Sequence, residues 1–141
     1  MLRRTSHAVY ELSYHFVWIP KRRRKILEGR IRERVKDLIE EISEGYGWNL
    51  IEQEVMADHI HVFVSAPPKF SASEMVQAMK SMSARKIFEE FPAIRDVMIS
   101  GELWSDGYFV RAVGEKVTAE IIRRYIRHQE DQDKGAQLKL F

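Results

Sequence analysis

Two histidines one residue apart in an apolar run, and a tyrosine four residues before a glutamine, are the side chains best suited to chemistry. His59 and His61 flank Ile60 in the stretch Asp58-His59-Ile60-His61-Val62-Phe63-Val64. Alternate side chains of a β-strand share a face, so the two imidazoles project together while Ile60, Val62 and Val64 point the other way. Neutral imidazoles are common ligands for divalent ions, and a strand fixes their separation. Two ligands alone hold an ion poorly, and the same pair reads equally as polar residues on the solvated face of a sheet. Tyr125 and Gln129 lie one above the other on a helix. On the helix alone, a tyrosine in an apolar stripe is a core residue. Laid over the histidine face, the helix would bring a phenol and an amide oxygen to the imidazoles. His59, His61 and Gln129 would then be three neutral ligands, with positions left for water and a phosphate oxygen. An ion so held would polarise the phosphate as a Lewis acid. Tyr125 would be the nucleophile, and a covalent phosphotyrosine would preserve the bond energy for a later transfer.

The elements that must position these groups follow from hydrophobic period. Residues 8–19 are rich in aromatic and β-branched types and predict a central strand ended by Pro20. Ile31, Val35, Leu38, Ile39 and Ile42 recur at helical spacing up to Gly45 and Gly47, an amphipathic helix with a glycine stop. Residues 48–56 and the histidine strand form an antiparallel hairpin turning at Asp58. Ser71-Ala72-Ser73-Glu74 matches a capping box. It opens a helix whose buried stripe is Met75, Val76, Met79, Met82 and Phe88, the methionines reading as core filler. Residues 93–107 are less regular, 108–113 are the last strand, and Thr118 caps the helix that carries Tyr125. Gly114, just before that helix, is a turn or a hinge. The order strand, helix, strand, strand, helix, strand, helix predicts an α+β ferredoxin-like (RRM-like) sandwich. Its four-stranded antiparallel sheet has two helices on one face and an extra C-terminal helix. His59 and His61 would lie on the open face.

With 141 residues, of which 45% are hydrophobic, the chain supports one well-buried core. Residues 1–133 are read as the single catalytic domain and 134–141 as a polar, extended or mobile tail whose Leu138, Leu140 and Phe141 could dock on another surface. The absence of cysteine excludes disulfides and thiolate zinc sites and fits a reducing cytoplasm. No apolar run is long enough to span a membrane, and Met1-Leu2-Arg3-Arg4 is not followed by a signal-peptide core. A soluble, cytoplasmic protein is expected. The net charge is only +2, yet cations cluster. Lys21, Arg22, Arg23 and Arg24 after the central strand, with Lys80 and Arg85 on the second helix, are the candidate DNA-phosphate contacts. The basic run reads alternatively as a solvated turn, and Arg123, Arg124 and Arg127 as contacts or as solubilising charges. Tyr10, Tyr14, Trp18, Trp48 and Trp104 are either base-stacking platforms or packing residues. His7, His15 and His128 are taken as structural or solvated.

Four ordered blocks carry a family resemblance: Tyr14-His15-Phe16-Val17-Trp18-Ile19-Pro20-Lys21, Asp58-His59-Ile60-His61-Val62, Trp104-Ser105-Asp106-Gly107-Tyr108-Phe109-Val110, and Tyr125-Ile126-Arg127-His128-Gln129. In these the chain resembles the small single-tyrosine HUH transposases, with REP-associated tyrosine transposases among their relatives. These enzymes move certain insertion sequences as single-stranded DNA. The resemblance spans about residues 10–130. It implies a Mg2+- or Mn2+-dependent strand transferase acting on hairpin-bearing single-stranded DNA ends. His59, His61 and Gln129 would be its metal ligands. Tyr125 would attack the scissile phosphate to give a 5′-phosphotyrosine and a free 3′-hydroxyl. It further implies a homodimer in which the tyrosine helix serves its own or its partner's histidines.

Two other readings share these residues. One is a domesticated relative that cleaves genomic palindromes outside any mobile element. The other is a non-catalytic module that binds single-stranded nucleic acid on the aromatic side chains of the sheet.

Overall fold

The computed structural model describes residues 3–4, 9–10, 12–98, 100–112 and 119–139. Six strands and four helices follow in the order β1 (Arg3–Arg4), β2 (Val9–Tyr10), β3 (Ser13–Trp18), α1 (Gly29–Tyr46), β4 (Asn49–Met56), β5 (His59–Ser65), α2 (Ala72–Glu90), α3 (Pro92–Val97), β6 (Phe109–Ala112) and α4 (Ala119–Lys139). A single 3-10 turn, Lys21–Arg23, follows β3. The main sheet has the order β4-β5-β3-β6, antiparallel throughout. This is the expected ferredoxin-like connection. The strand expected over residues 8–19 is divided. Val9 and Tyr10 pair with Arg3 and Arg4 in a small hairpin, while Ser13–Trp18 enters the sheet.

Alternation along the strands sorts the residues as the period predicts. Phe16 and Trp18 of β3, with Ile60, Val62 and Val64 of β5, are fully buried beneath the helices. They meet Val35, Leu38, Ile39 and Ile42 of α1 and Met75, Val76, Met79 and Ile87 of α2. Burying one such aliphatic side chain contributes about 1.5–3 kcal/mol, so this layer makes the sheet rigid. Trp18 and Trp104 meet edge to face at 5.8 Å, and Trp104 donates its indole N–H to Ser83 Oγ at 3.0 Å. Trp18, Trp48 and Trp104 are thus core residues rather than base platforms.

Local chemistry sets the ends of the helices. α1 stops at Gly47, whose φ of +75° suits a residue without Cβ. Gly47 N–H bonds to Glu44 O and Trp48 N–H to Ser43 O, the paired bonds of a Schellman motif. α2 opens with the reciprocal Ser71–Glu74 capping box. The expected irregular region contains one short helix, α3, with Pro92 in its first turn, where the missing N–H has no cost. The polar residues after Glu130 continue α4 to Lys139 instead of forming an extended tail. Asp133 on that segment is buried, so tertiary contacts hold a stretch whose composition suggests none. Thr118 and Gly114 lie outside the described residues, as do His7, Leu140 and Phe141. Among the described residues, no helix is long and apolar enough to cross a membrane.

Candidate active site

The face of the sheet turned away from α1 and α2 carries His15 and Val17 from β3, His59, His61 and Phe63 from β5, and Phe109 and Arg111 from β6. Cross-strand register groups them in rows. Glu54, His61, Val17 and Phe109 form one row, and Phe63, His15 and Arg111 form the next. His59 and His61 are half-buried on this face, as alternation requires. Their ring centres are 5.0 Å apart and the planes nearly perpendicular.

Each of these histidines has its Nδ1 engaged. His59 Nδ1 lies 2.8 Å from Asp58 Oδ1. Burial alone would raise the Asp58 carboxyl, but the bond from His59 and the charge of Arg23 outweigh it and hold the pKa below the ordinary range. Asp58 is therefore ionised and accepts, and His59 carries its proton on Nδ1. His61 Nδ1 lies 3.0 Å from Nε2 of His15. His15 itself is buried and stacks on Phe63 at 4.1 Å. Burial, then the neighbouring His61 and Arg111, push His15 down to about 4, so it is neutral near pH 7. His61 is lowered too, by burial and by His59, with Glu54 in partial opposition.

α4 lies against the β6 side of this face. The Tyr125 ring is 6.1 Å from that of Phe109, which in turn is 6.5 Å from His15. Tyr125 Oη is buried and has no hydrogen-bond partner among the described residues. Burial and the charge of Asp133 push the phenol pKa well above its ordinary value. The phenol is held neutral and is not bonded to either histidine. Gln129 is buried beside Gly107, where an added Cβ would come within 3.1 Å of its Oε1. With φ at +84°, Gly107 suits glycine on both counts.

Asp133 ties α4 to the rest of the molecule. Its carboxylate accepts from Arg22 N–H at 2.9 Å and from Ser105 Oγ at 2.9 Å, with Lys21 Nζ at 3.7 Å. Arg22 and Arg23 adopt φ of 60° and 54°, left-handed values that cost a non-glycine residue about 1–3 kcal/mol. The bonds from Asp133 to Arg22 and from Asp58 to Arg23, the latter 2.9 Å, offset that strain. Arg23 also approaches Glu130 at 4.0 Å, so one guanidinium joins the histidine strand to α4.

The basic residues expected on DNA are therefore not equivalent. Lys21 bonds to Glu102 at 3.2 Å; burial opposes its charge, but Glu102 and Asp133 outweigh that and raise its pKa. Arg23 is committed to Asp58. Lys80 donates to Ser105 O at 2.7 Å and Gly107 O at 2.8 Å, and burial lowers its pKa against nearby acids. Arg24 and Arg85 have no acidic partner among the described residues, and Arg22 Nε is buried without one. His128 is exposed. His15 was legible in part, because it has the same parity along β3 as the face opposite Phe16 and Trp18. Asp58 adjoins the histidines in sequence. Nothing local marks Asp133.

The chain matches the model of the family described as IS200-like transposase over residues 8–129. It is 35% identical over 125 residues to the ISDra2 transposase TnpA of Deinococcus radiodurans, covering 89% of each chain. It is also 35% identical over 136 residues to the transposase of insertion sequence element IS200 of Salmonella typhimurium, covering 96% of this chain and 88% of the relative. The fold superposes on a crystal structure assigned to a transposase of Deinococcus radiodurans with a TM-score of 0.79 at 31% identity, covering 90% of this chain and 97% of the other. It also superposes on a REP-associated tyrosine transposase bound to a REP hairpin. There the TM-score is 0.53 at 12% identity, with 89% and 68% covered, a likeness of fold.

Proposed function

Because the chain belongs to the IS200-like transposase family, we propose that it cuts and rejoins single-stranded DNA at insertion-sequence ends through Tyr125. The observation that carries this reading is the pair of half-buried imidazoles on one sheet face, each with Nδ1 already occupied. With His61 donating Nδ1–H to His15, both Nε2 atoms are left as lone-pair donors. Ring centres 5.0 Å apart put the two imidazoles close enough that both could hold one ion. Among the described residues, no three His, Cys, Asp or Glu side chains converge. Gln129, four residues after Tyr125 on α4, is the third ligand that the family resemblance implies. Mg2+ or Mn2+ at His59, His61 and Gln129 would supply Lewis acidity toward the scissile phosphate.

The protein's own groups do the rest. Asp58 orients His59, and His15 orients His61. The Tyr125 oxygen attacks phosphorus, a new P–O bond to the phenol forms, and the bond to the 3′ oxygen breaks. The phenol proton is released and the leaving oxygen becomes a 3′-hydroxyl. Attack by a 3′-hydroxyl on the 5′-phosphotyrosine reverses the step and rejoins strands. Tyr125 Oη is buried and has no hydrogen-bond partner among the described residues, so the reading includes a shift of α4 that presents the phenol to the phosphate. Its placement on its own chain or on the histidines of a second copy in a homodimer is part of the proposal. Hairpin-bearing ends are the proposed substrates, since a structural neighbour is bound to a REP hairpin.

The test is incubation of the wild-type protein with single-stranded end DNA and Mg2+ or Mn2+, followed by denaturing electrophoresis. A protein–DNA adduct is expected with wild type and not with Tyr125→Phe. No adduct on any flanking end would overturn the proposal and leave a non-catalytic binder. Adducts formed on isolated genomic palindromes instead would indicate the domesticated relative.

A further inference from the structure

Arg111 lies on β6 directly opposite His15 of β3, on the same face as His61 and Phe109. Its Nε and Nη1 are buried, and neither has a hydrogen-bond partner among the described residues. A guanidinium stays charged at any working pH, and leaving its N–H groups buried without acceptors is costly. Arg22 Nε shares that state, whereas Lys21, Arg23 and Lys80 avoid the cost. Lys21 has Glu102 and Asp133, Arg23 has Asp58, and Lys80 has two carbonyls. Arg111 instead faces the neutral ring of His15, with Phe63 beyond it in the same row.

We infer that Arg111 is a DNA-binding residue whose guanidinium, held by no hydrogen bond at Nε or Nη1 among the described residues, turns out from the sheet face to take the oxygens of a phosphodiester flanking the one attacked by Tyr125. This rests on the strand-transfer reading and adds a contact to it. An anion with two oxygens in a plane matches the parallel N–H pairs of a planar guanidinium, which Lys cannot reproduce. Position selects a flanking linkage rather than the scissile one. β6 is two strands from β5, or about 10 Å at the ordinary strand spacing, and Arg111 is one row further along than His61. An extended single strand crossing the face from the histidines toward β6 would present its next phosphates there. Phe63, half-buried in the same row, offers the intervening base an aromatic surface.

The experiment compares wild type, Arg111→Met and Arg111→Lys with single-stranded oligonucleotides spanning the element's flanking ends. Each oligonucleotide carries one uncharged methylphosphonate linkage in turn, and Kd is measured across a range of salt. Arg111→Met is expected to weaken binding about tenfold and to lower the salt slope by about 0.7–1. One flanking methylphosphonate should weaken wild type and have no added effect on Arg111→Met. Arg111→Lys should keep the salt slope and recover only part of the affinity. The melting temperature of Arg111→Met should equal or exceed that of wild type, because an unpaired buried charge has been removed. Wild-type affinity and slope in Arg111→Met, or equal sensitivity of both proteins to every linkage, would overturn the inference. So would a large loss of melting temperature with unchanged binding by Arg111→Lys. Failure of wild type to bind any single strand would instead overturn the strand-transfer reading. If wild type binds and cuts while Arg111 has no effect, only the Arg111 contact falls.

Discussion

The histidine strand and the tyrosine helix bring reactive groups to the same sheet face but are held there by different means. β5 sits between β3 and β4 in the sheet, its Ile60, Val62 and Val64 fully buried and its histidines fixed by Asp58 and His15. α4 buries Ile126 but is tied chiefly by the polar contacts of Asp133 with Arg22, Ser105 and Lys21, and its phenol has no hydrogen-bond partner among the described residues. Cores resist displacement because any shift exposes apolar area. Polar links exchange readily for water and cost far less to open. The sheet is therefore the rigid half of the candidate site and the helix the half that can be repositioned, as the proposed attack and release by Tyr125 would require.

The sharpest break in the comparison comes from the ligand side. Replacing both His59 and His61 by alanine should reduce adduct formation by at least about 1,000-fold, the order expected when metal catalysis is lost. The melting temperature should stay near wild type, because both side chains lie outside the core. A large fall in melting temperature would show the histidines to be structural. Asp58→Asn comes next. Loss of the carboxylate that orients His59 should weaken Mn2+ binding by roughly 10–100-fold, read by calorimetry without DNA. Unchanged affinity would remove Asp58 from the site.

On the helical side, Asp133→Ala leaves Arg22 N–H and Ser105 Oγ unpaired and should cost about 1–3 kcal/mol. Hydrogen exchange is the measurement, with faster exchange in α4 and none in β5 as the expected pattern. Uniform acceleration would mean that the two halves open together. The smallest effect is on pH. Folding raises the pKa of Tyr125 because burial, then Asp133, disfavours phenolate. Its contribution is fully present below pH 10 and is lost as pH rises above that toward the folded value. Docking of α4 should weaken only above about pH 10, and Tyr125→Phe should remove that dependence in a fluorescence or exchange titration.

Much of the fold can be read along the chain. Ile60, Val62 and Val64 alternate with polar neighbours, Ile31 to Ile42 follow the helical period, and Ser71 with Glu74 marks a helix start. The extent of α4 was missed, since residues 131–137 are polar and look like a tail until Asp133 is seen to be buried. The cations expected on DNA differ in a way the sequence does not show. Lys21, Arg23 and Lys80 have the right charge, but Glu102, Asp58 and two backbone carbonyls satisfy them within the fold. Arg111 went unnoticed because a lone arginine in a strand gives no signal of its own; its unpaired nitrogens mark it.

Direction is a local property. Which face His59 and His61 share, and that Tyr125 and Gln129 lie together on a helix, follow from backbone period over a few residues, and the chain determines them unaided. Pairing is not local. Arg22 and Asp133 are 111 positions apart, and His15 and His61 are 46 apart. Whether such groups meet depends on distance and burial, which arise only when the sheet and α4 are assembled. That assembly decides which charges are used up inside the protein, and which, like Arg111, are left for a ligand.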